Sequence, residues 1–304
     1  MSTYDSVHPV TADFARCARA GCQGRVPVGQ RHCPRCRTLG RLGRGFFLVR
    51  LSLLLTVLVL IGLWGYNDLQ SRKARTEWDR TLSVAVVLVT TAPVAPAAVE
   101  RLEARLAHLE GLLTREFRRY RSGPPPFRFV LHGTAQASPP PEPPQSAWDL
   151  PEHLYRQWSY LSAIDASVGL NAQVYDSRIY VVARPPASAS VQFVEGYSQL
   201  GGRVGIVEVE LNEEMVDLVL SVTAHELFHT LGAEDKYDAA GHALVPEGLA
   251  EPDRSPRFPQ RYVEVMARNR PLGNHQERSL DHLDELSVGP LTAREIGWAP
   301  RNAR

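Results

Sequence analysis

The chain has 304 residues, and its 34 basic and 33 acidic side chains leave a formal net charge of +1. Because so even a balance provides no general attraction to a polyanion, no nucleic-acid partner is expected. All four cysteines lie within the first 36 residues, so the rest of the chain is not a disulfide scaffold. The length suffices for one sizeable core with smaller attachments.

The four cysteines form a compact pattern at the N-terminus. Cys17, Cys22, Cys33 and Cys36 are spaced C-x4-C-x10-C-x2-C. Two paired knuckles of this kind present four thiolates to one tetrahedral Zn²⁺, which supplies folding energy that so short a segment cannot obtain by burial. Two disulfides, or unrelated thiols, are the alternatives. The segment resembles a small zinc ribbon, and residues 1–40 are predicted to form one around a structural zinc ion.

A continuously apolar stretch follows at residues 46–66. Its single charge, Arg50, lies near the start, and Trp64 and Tyr66 lie near the end, where an aromatic belt is expected. The stretch is long enough to cross a bilayer as a helix. It predicts one transmembrane helix followed by a linker at residues 67–80; the alternative is a buried core helix of a soluble protein.

The charges that flank this stretch favour one orientation. On the N-terminal side lie Arg25, Arg31, Arg35, Arg37, Arg41 and Arg44, and on the other side lie Arg72, Lys73, Arg75 and Arg80. The excess predicts a cytoplasmic N-terminus and an extracytoplasmic C-terminal domain. Reduced cysteines inside and a cysteine-free domain outside agree with that orientation.

Residues 81–304 have the pattern of an α/β domain, of class α+β. β-rich segments alternate with amphipathic segments, and the proline-rich residues 138–145 are expected to form a surface loop. The predicted strands are residues 82–90, 127–133, 177–183 and 203–211, and the predicted helices are residues 97–120, 151–164 and 213–232.

The last predicted helix carries the motif HELFH. His225 and His229 are four residues apart and therefore project from one face of the helix, as two ligands of one metal ion must. Glu226 can reach a water at that metal and is the expected general base. Gly232 tolerates a left-handed conformation, so the chain can bend back and bring Asp235 to the same zinc ion.

The pattern HELFHTLGAED resembles the metzincin clan of zinc peptidases, with aspartate as third ligand as in the snapalysin-like variant. The resemblance covers mainly residues 177–298. It implies a twisted mixed sheet, an active-site helix, a smaller C-terminal subdomain and a methionine turn below the metal, for which Met266 is the candidate. It also implies that the strand at residues 203–211 forms the cleft edge and pairs with extended substrate, and that residues after Met266 form the pocket beyond the cleaved bond.

These features predict a membrane-anchored zinc endopeptidase that acts on proteins or peptides. One zinc ion is catalytic and one is structural, and the ribbon is a candidate site for a cytoplasmic protein partner. Glu234 and Asp238 are expected not to bind the metal, and His242, His275 and His282 are expected to be structural or exposed.

Two alternatives remain open. A thermolysin-like site would take its third ligand from Glu247 or Glu251, which lie 18 and 22 residues after His229. A catalytically inactive binding or sensing module could also keep the same fold.

Overall fold

A computed structural model describes residues 14–28, 30–37, 41–184, 194–198, 200–273 and 276–300. The chain divides into two compact units, Met1–Gln70 and Ser71–Arg304. The described residues form a mixed α/β structure, which confirms the predicted fold class.

The smaller unit begins with a short antiparallel hairpin. Strand β1 (Phe14–Arg16) pairs with strand β2 (Arg25–Pro27), and the cysteines flank this pair. Helix α1 (Arg41–Arg75) follows. Within Phe47–Arg75, an 18-residue window has a mean hydropathy of 2.4 and none of that window is buried, so the helix is long and apolar enough to cross a membrane, by length and composition only. The helix therefore contains the apolar stretch and continues beyond residue 66.

The larger unit is built on a five-stranded sheet with the order β4-β3-β5-β7-β6. The first four strands in that order run parallel, and β6 is antiparallel at the edge. The strands are β3 (Leu82–Thr90), β4 (Phe127–Gln136), β5 (Ser177–Ala183), β6 (Val194–Ser198) and β7 (Val204–Val209).

Helices cover both faces of this sheet. They are α2 (Pro96–Arg118), α3 (Leu150–Ser167) and α4 (Val216–Thr230), the last preceded by a 3-10 turn at Glu213–Met215. Side chains such as Val86 pack in the core that contains α2 and α4, whereas Val87 packs in the core that contains α3. Because β3 is covered on both sides, it is apolar at nearly every position rather than at alternate ones.

One prediction about the sheet is wrong. The strand at residues 203–211 was expected at the cleft edge, but β7 is an interior strand that pairs with β5 on one side and β6 on the other. The edge position belongs to β6, a short segment of sequence VEGYS. Such a segment lacks the alternation that marks a strand, and its backbone hydrogen bonds to β7 define it.

The chain after α4 forms a smaller region of short elements. Its strands are β8 (Val263–Glu264), β9 (Arg270–Gly273), β10 (Gln276–Arg278) and β11 (Leu286–Ser287), with a 3-10 turn at Leu283–Glu285 and helix α5 (Pro290–Glu295). Trp298 and Leu283 from this region are buried in the same core as α4. The region therefore packs directly against the helix that carries the histidines.

Both ends of α4 are held by buried charged side chains. Near its start, Asp217 receives two hydrogen bonds from Arg105 at 2.8 and 2.7 Å and one from the Leu283 amide at 3.0 Å. At its end, the guanidinium of Arg75, 2% exposed, donates to the Thr230 carbonyl at 3.0 Å. The bond from Arg75 satisfies a carbonyl that the helix end leaves open, and both sets of bonds fix the helix against the rest of the unit.

Candidate active site

Helix α4 brings His225 and His229 together on one face. Their Nε2 atoms lie 3.1 Å apart, and their ring centroids are 4.7 Å apart. The neighbouring residues Ala224, Leu227 and Phe228 are fully buried, which directs the opposite face, with both imidazoles, toward a cleft. The helical spacing thus places two nitrogen donors at one point, as the motif predicts.

A sharp turn returns the chain to these histidines. Gly232 has a φ of +99°, a conformation that favours glycine, and the Ala233 amide donates to the Phe228 carbonyl at 3.1 Å. Beyond the turn, Asp235 Oδ1 lies 3.1 Å from His225 Nε2 and 3.2 Å from His229 Nε2. The expected bend is present, and three donor atoms form a nearly equilateral triangle.

The hydrogen bonds of the two rings set which nitrogen faces this triangle. His225 Nδ1 lies 2.9 Å from the Val265 carbonyl, and His229 Nδ1 lies 2.8 Å from the Ala233 carbonyl. A carbonyl only accepts, so each Nδ1 carries hydrogen and each neutral ring presents the Nε2 lone pair inward. Two lone pairs and a carboxylate oxygen that face one another at such distances call for a cation between them.

Zinc fits this donor set. A tetrahedral zinc ion with ligands at roughly 2.0–2.1 Å separates its ligand atoms by roughly 3.3 Å. The distances between His225 Nε2, His229 Nε2 and Asp235 Oδ1 are 3.1, 3.1 and 3.2 Å. Three such ligands leave a fourth position open, which is the arrangement of a catalytic rather than a structural site.

The electrostatics of these groups reflect their close approach. Burial works to raise the pKa of Asp235, but the close approach of the His225 and His229 rings outweighs it and holds the pKa far below its usual range. Burial works to lower the pKa of His229, but the Asp235 carboxylate outweighs burial, so the pKa of His229 is raised. The Asp235 carboxylate is therefore an anion, as a metal ligand must be.

A second carboxylate, Glu226, also lies within 4.8 Å of the histidine donor atoms. Asp235 is better suited to complete the triangle, because it lies within hydrogen-bonding distance of both imidazoles. Glu226 is instead 2% exposed, and its Oε2 atom has no partner among the described residues. Burial raises the pKa of Glu226, against the lowering effect of His225, Ser198 and His229. A raised pKa suits a carboxylate that exchanges protons near neutral pH.

The edge of the sheet leaves space for this glutamate only because two positions lack side chains. A Cβ on Gly196 of β6 would lie 2.8 Å from the Glu226 carboxyl carbon, and a Cβ on Gly205 of β7 would lie 3.0 Å from Glu226 Cβ. The strands therefore approach α4 closely, and Glu226 is enclosed by β6.

The segment around Met266 supports the site from below. Met266 is fully buried, its carbonyl accepts from the Lys236 amide at 2.9 Å, and the preceding residue, Val265, provides the carbonyl that orients His225. The fully buried carboxylate of Glu264 accepts from the Met266 amide at 2.6 Å and from the Gly289 amide at 3.0 Å. Met266 thus lies in the buried segment that provides the carbonyl for His225, and Glu264 fixes the backbone of that segment.

A buried ion pair holds the loop that contains Asp235. Lys236, 3% exposed, lies with its Nζ atom 2.7 and 2.8 Å from the two carboxylate oxygens of Glu295. Glu295 Oε2 also accepts from the Glu234 amide at 3.2 Å. The residues on either side of Asp235 are therefore tied to helix α5. Nothing in the sequence around Lys236 identified this partner, which lies 59 residues away.

The cleft has two arms that meet at the motif. One arm, of about 510 Å³, is lined by Leu200 and Tyr197 and extends past Asp235; the other, of about 590 Å³, extends past Val222 and Val265. Both arms are lined by Gly196, His225, Glu226 and Tyr237. A chain that crosses the cleft would pass directly beside His225 and Glu226.

Tyr237 has a more central place than its sequence position suggests. Its ring stacks on His225 with centroids 6.2 Å apart and planes 26° apart, and its hydroxyl lies in the field of the Asp235 carboxylate. Burial and the Asp235 charge raise the pKa of Tyr237 to about 12, so the hydroxyl keeps its proton. Its place two residues after Asp235 is the only sequence signal for this role.

The remaining acidic candidates are placed elsewhere. Residues 231–262, all described, contain no helix, so the second helix of a thermolysin-like site is missing there. Glu251 pairs with Arg261, and Glu247 is exposed. Glu234 is an exposed residue of the cleft wall, and Asp238 Oδ1 accepts from the backbone of a turn. None of these carboxylates joins the histidine pair.

The other histidines do not join it either. His242 lines the larger arm of the cleft, and His282 is exposed. His275 lies outside the described residues.

The smaller unit contains a second cluster of metal-ligand type. Sγ atoms of Cys17, Cys22, Cys33 and Cys36 all lie within 4.8 Å of one another, and none is in a disulfide. The Cys17–Cys36 and Cys22–Cys33 separations are 3.3 and 4.0 Å, close to the roughly 3.8 Å that a tetrahedral zinc with Zn–S bonds of roughly 2.3 Å requires. Against the lowering effect of the Gly24 amide, burial and the other thiols raise the pKa of Cys22 to about 11. A bound cation would instead lower the pKa of the thiol, because it favours the thiolate.

Comparisons with known proteins do not identify a family. No protein-family model matches the chain, and no curated protein matches it. Among solved structures, archaemetzincin from Methanopyrus kandleri covers 70% of this chain and 93% of its own, with 15% sequence identity and a TM-score of 0.34. A chaperone–substrate complex covers 74% of this chain and 40% of its own, with 11% identity and a TM-score of 0.28. Function is therefore argued from the geometry of the site.

Proposed function

We propose that this chain is a membrane-anchored, zinc-dependent endopeptidase. The observation that supports this most directly is the triangle of His225 Nε2, His229 Nε2 and Asp235 Oδ1, whose sides are 3.1–3.2 Å, beside the buried carboxylate of Glu226. A three-ligand site of this kind, open toward a cleft, combines a place for the metal with a place for substrate.

The side chains divide the chemistry among them. His225, His229 and Asp235 would hold the zinc ion, which when bound supplies Lewis acidity for water and for a substrate carbonyl. Glu226 accepts a proton from the attacking water and returns it to the departing amine nitrogen. Its unpartnered Oε2 and raised pKa suit that exchange. Tyr237, whose raised pKa keeps it a neutral donor, would orient Asp235 by donating to its carboxylate.

An extended peptide is the substrate that the cleft favours. Strand β6 is the edge of the described sheet, so its outer backbone groups can pair with an extended chain. The two arms of the cleft continue on either side of His225 and Glu226. A substrate that occupies both arms extends in both directions from the reactive bond, which favours cleavage inside a chain over removal of terminal residues.

The membrane arrangement belongs to the same proposal. Helix α1 serves as a single membrane span, with the cysteine cluster on the cytoplasmic side as a structural zinc ribbon and the catalytic unit on the other side. The excess of arginines before the span and the lack of cysteines after it support this orientation. The ribbon is proposed to bind a cytoplasmic protein.

The decisive experiment separates metal binding from catalysis. Purified full-length chain in lipid nanodiscs should contain two zinc ions, and Glu226→Gln should keep both while cleavage of a denatured protein mixture falls by roughly 10²–10⁴-fold. Cleavage by Glu226→Gln at a rate comparable to that of the wild-type chain would refute the assignment of Glu226 as the general base. Two zinc ions with peptide binding but no cleavage by the wild-type chain would instead support a non-catalytic binding module.

A second experiment tests the third ligand. Asp235→Ala should lower the zinc content from two ions to one, because the open site then keeps only two ligands. Glu247→Ala and Glu251→Ala are matched controls that remove a carboxylate from the neighbouring loop, and both should retain two ions. Loss of zinc in either control, with retention in Asp235→Ala, would favour the thermolysin-like ligand set.

A further inference from the structure

The larger arm of the cleft contains a buried carboxylate that the proposed chemistry does not use. This arm, of about 590 Å³, has walls that include Leu218, Val222, Val265 and Ala267, and Glu277 also lines it. Among the described residues, Glu226 and Glu277 are the acidic side chains of this lining, and Glu277 lies outside the proposed chemistry. An apolar wall beside such a group is suited to a long side chain with an apolar stem and a polar end.

Glu277 has one oxygen without a partner. The residue belongs to β10, and its side chain is 9% exposed. Oε1 accepts from the Ala243 amide at 2.7 Å, whereas Oε2 is buried and makes no hydrogen bond within the described structure. A buried carboxylate oxygen without a donor is costly, and a positively charged hydrogen-bond donor that enters the cavity would relieve that cost.

The two basic groups nearby do not fill this role. His242 Nδ1 is 4.0 Å from Glu277 Oε1, which is too long for a hydrogen bond. Arg268 lines the same arm but is exposed, and its guanidinium carbon lies 5.8 Å from the centroid of the Tyr237 ring. The arginine charge is therefore directed over the aromatic ring, where a cation is favourable.

We propose that this arm selects a lysine or arginine side chain of the substrate, at one fixed position adjacent to the cleaved bond. The aliphatic stem would lie along Val222 and Val265, and the terminal ammonium or guanidinium would donate to the Glu277 carboxylate. The inference rests on the proposed endopeptidase function and adds the substrate class to it. An acidic side chain at the same position would face Glu277 and be excluded by charge repulsion.

The test compares matched substrates on the full-length chain in nanodiscs. Cleavage sites mapped in a denatured protein mixture should show enrichment of lysine and arginine at one position next to the cleaved bond. Two peptides that differ only by lysine or leucine at that position should then differ in kcat/KM by roughly 10- to 100-fold, the range of a charge-assisted hydrogen bond.

The variants assign the preference to one residue. Glu277→Gln keeps an oxygen for the Ala243 amide but removes the charge, so the lysine-to-leucine ratio of kcat/KM should fall by at least roughly 10-fold. Glu213→Gln, which neutralises an exposed glutamate outside the cleft, should leave that ratio unchanged. A wild-type ratio near one, a ratio that Glu277→Gln does not change, or a preference for acidic residues through Arg268 would overturn the proposal.

A binding measurement separates this proposal from the catalytic one. In the Glu226→Gln background, a labelled lysine peptide should bind roughly 10-fold more tightly than its leucine counterpart, and addition of Glu277→Gln should abolish the difference. Equal binding of both peptides would refute the lysine or arginine pocket. Absence of cleavage by the wild-type chain, together with this binding preference, would refute the endopeptidase and retain the pocket.

Discussion

The two candidate metal sites depend on their surroundings in opposite ways. The cysteine cluster draws four ligands from 20 consecutive residues, and the described buried apolar side chains before helix α1 are only Val26 and Cys33. His225, His229 and Asp235 are supported instead by a core that includes Trp298 and Phe228, and His225 Nδ1 donates to the distant Val265 carbonyl. A metal would organise the fold in the first region, whereas the fold organises the metal site in the second.

The two candidate metal sites also differ in the number of their ligands and in whether they open toward a cleft. Four thiols close a tetrahedron and leave no position for substrate, while three ligands beside an open cleft leave one. Under the proposed function, this difference corresponds to a structural role at the first site and a chemical role at the second. Four predictions test it, in order of decreasing effect.

The largest effect is expected from Cys33→Ser. Removal of one ligand from a metal that contributes about 10 kcal/mol should unfold the ribbon, because little other burial supports it. Trypsin should then cut within residues 14–37, a segment rich in arginine, while residues 71–304 stay protected. Gln30→Ala, an exposed control in the same segment, should remain resistant. Continued resistance of Cys33→Ser to trypsin would show that the metal does not organise the fold of the first region.

Removal of metal by a chelator should have a smaller effect on the larger unit. Bound zinc stabilises the native state only by mass action, by about 4 kcal/mol when free zinc is 1,000 times its dissociation constant. The unfolding temperature should fall, yet near-ultraviolet circular dichroism from the buried Trp78 and Trp298 should persist below it. Loss of that signal at low temperature would show that the metal organises this unit too.

Asp217→Asn should destabilise the larger unit by about 3 kcal/mol, because it leaves Arg105 without its buried partner. Burial works to raise the pKa of Asp217, but Arg105 and the Leu283 amide hold it below its usual range. The ionised form therefore contributes stability above the unfolded pKa of 3.8, and this contribution is lost as pH falls through the lowered folded pKa.

Denaturant unfolding at pH 7 and at acidic pH measures this effect. The difference between wild type and Asp217→Asn should shrink at acidic pH. Asp284→Asn, which alters an exposed pair with His108, is the control and should cost far less. Equal costs for the two variants would mean that α4 is not held by its buried ion pair.

Tyr237→Phe should have the smallest effect, since it removes only the hydroxyl that contacts Asp235. A loss of roughly 10-fold in zinc affinity or in kcat/KM is expected from the removal of a partner that orients a ligand. Zinc titration with a competing chelator measures the affinity, and Tyr155→Phe is an exposed control. No change in either quantity would assign Tyr237 to packing alone.

Much of the fold was predictable because its signals are local. The predicted strand at residues 82–90 coincides with β3, and the predicted helix at residues 97–120 overlaps α2 (Pro96–Arg118). Both are long segments with clear periodicity or β-branched content. Strand β6 was missed because five residues that include glycine and serine carry no such pattern, and the resemblance to metzincins implied the cleft edge at β7 instead.

The candidate site also has a part that local geometry determines and a part that depends on distant residues. The approach of His225 and His229 follows from helical spacing, and the return of Asp235 follows from the left-handed turn at Gly232. The supports of that site come from distant residues. Val265, Glu264 and Glu295 contact it only because the chain after α4 packs back against the helix.

The sequence by itself determined the long helices and strands, the cysteine cluster, the apolar helix and the three residues that converge beside Glu226. Each of these depends on a spacing of a few residues, for which helix and turn geometry suffice. Only the tertiary structure decided which strand forms the cleft edge and that Glu277 has an unpartnered oxygen in one arm. These features depend on the burial of groups distant in the chain, so they follow from packing and desolvation rather than from local pattern.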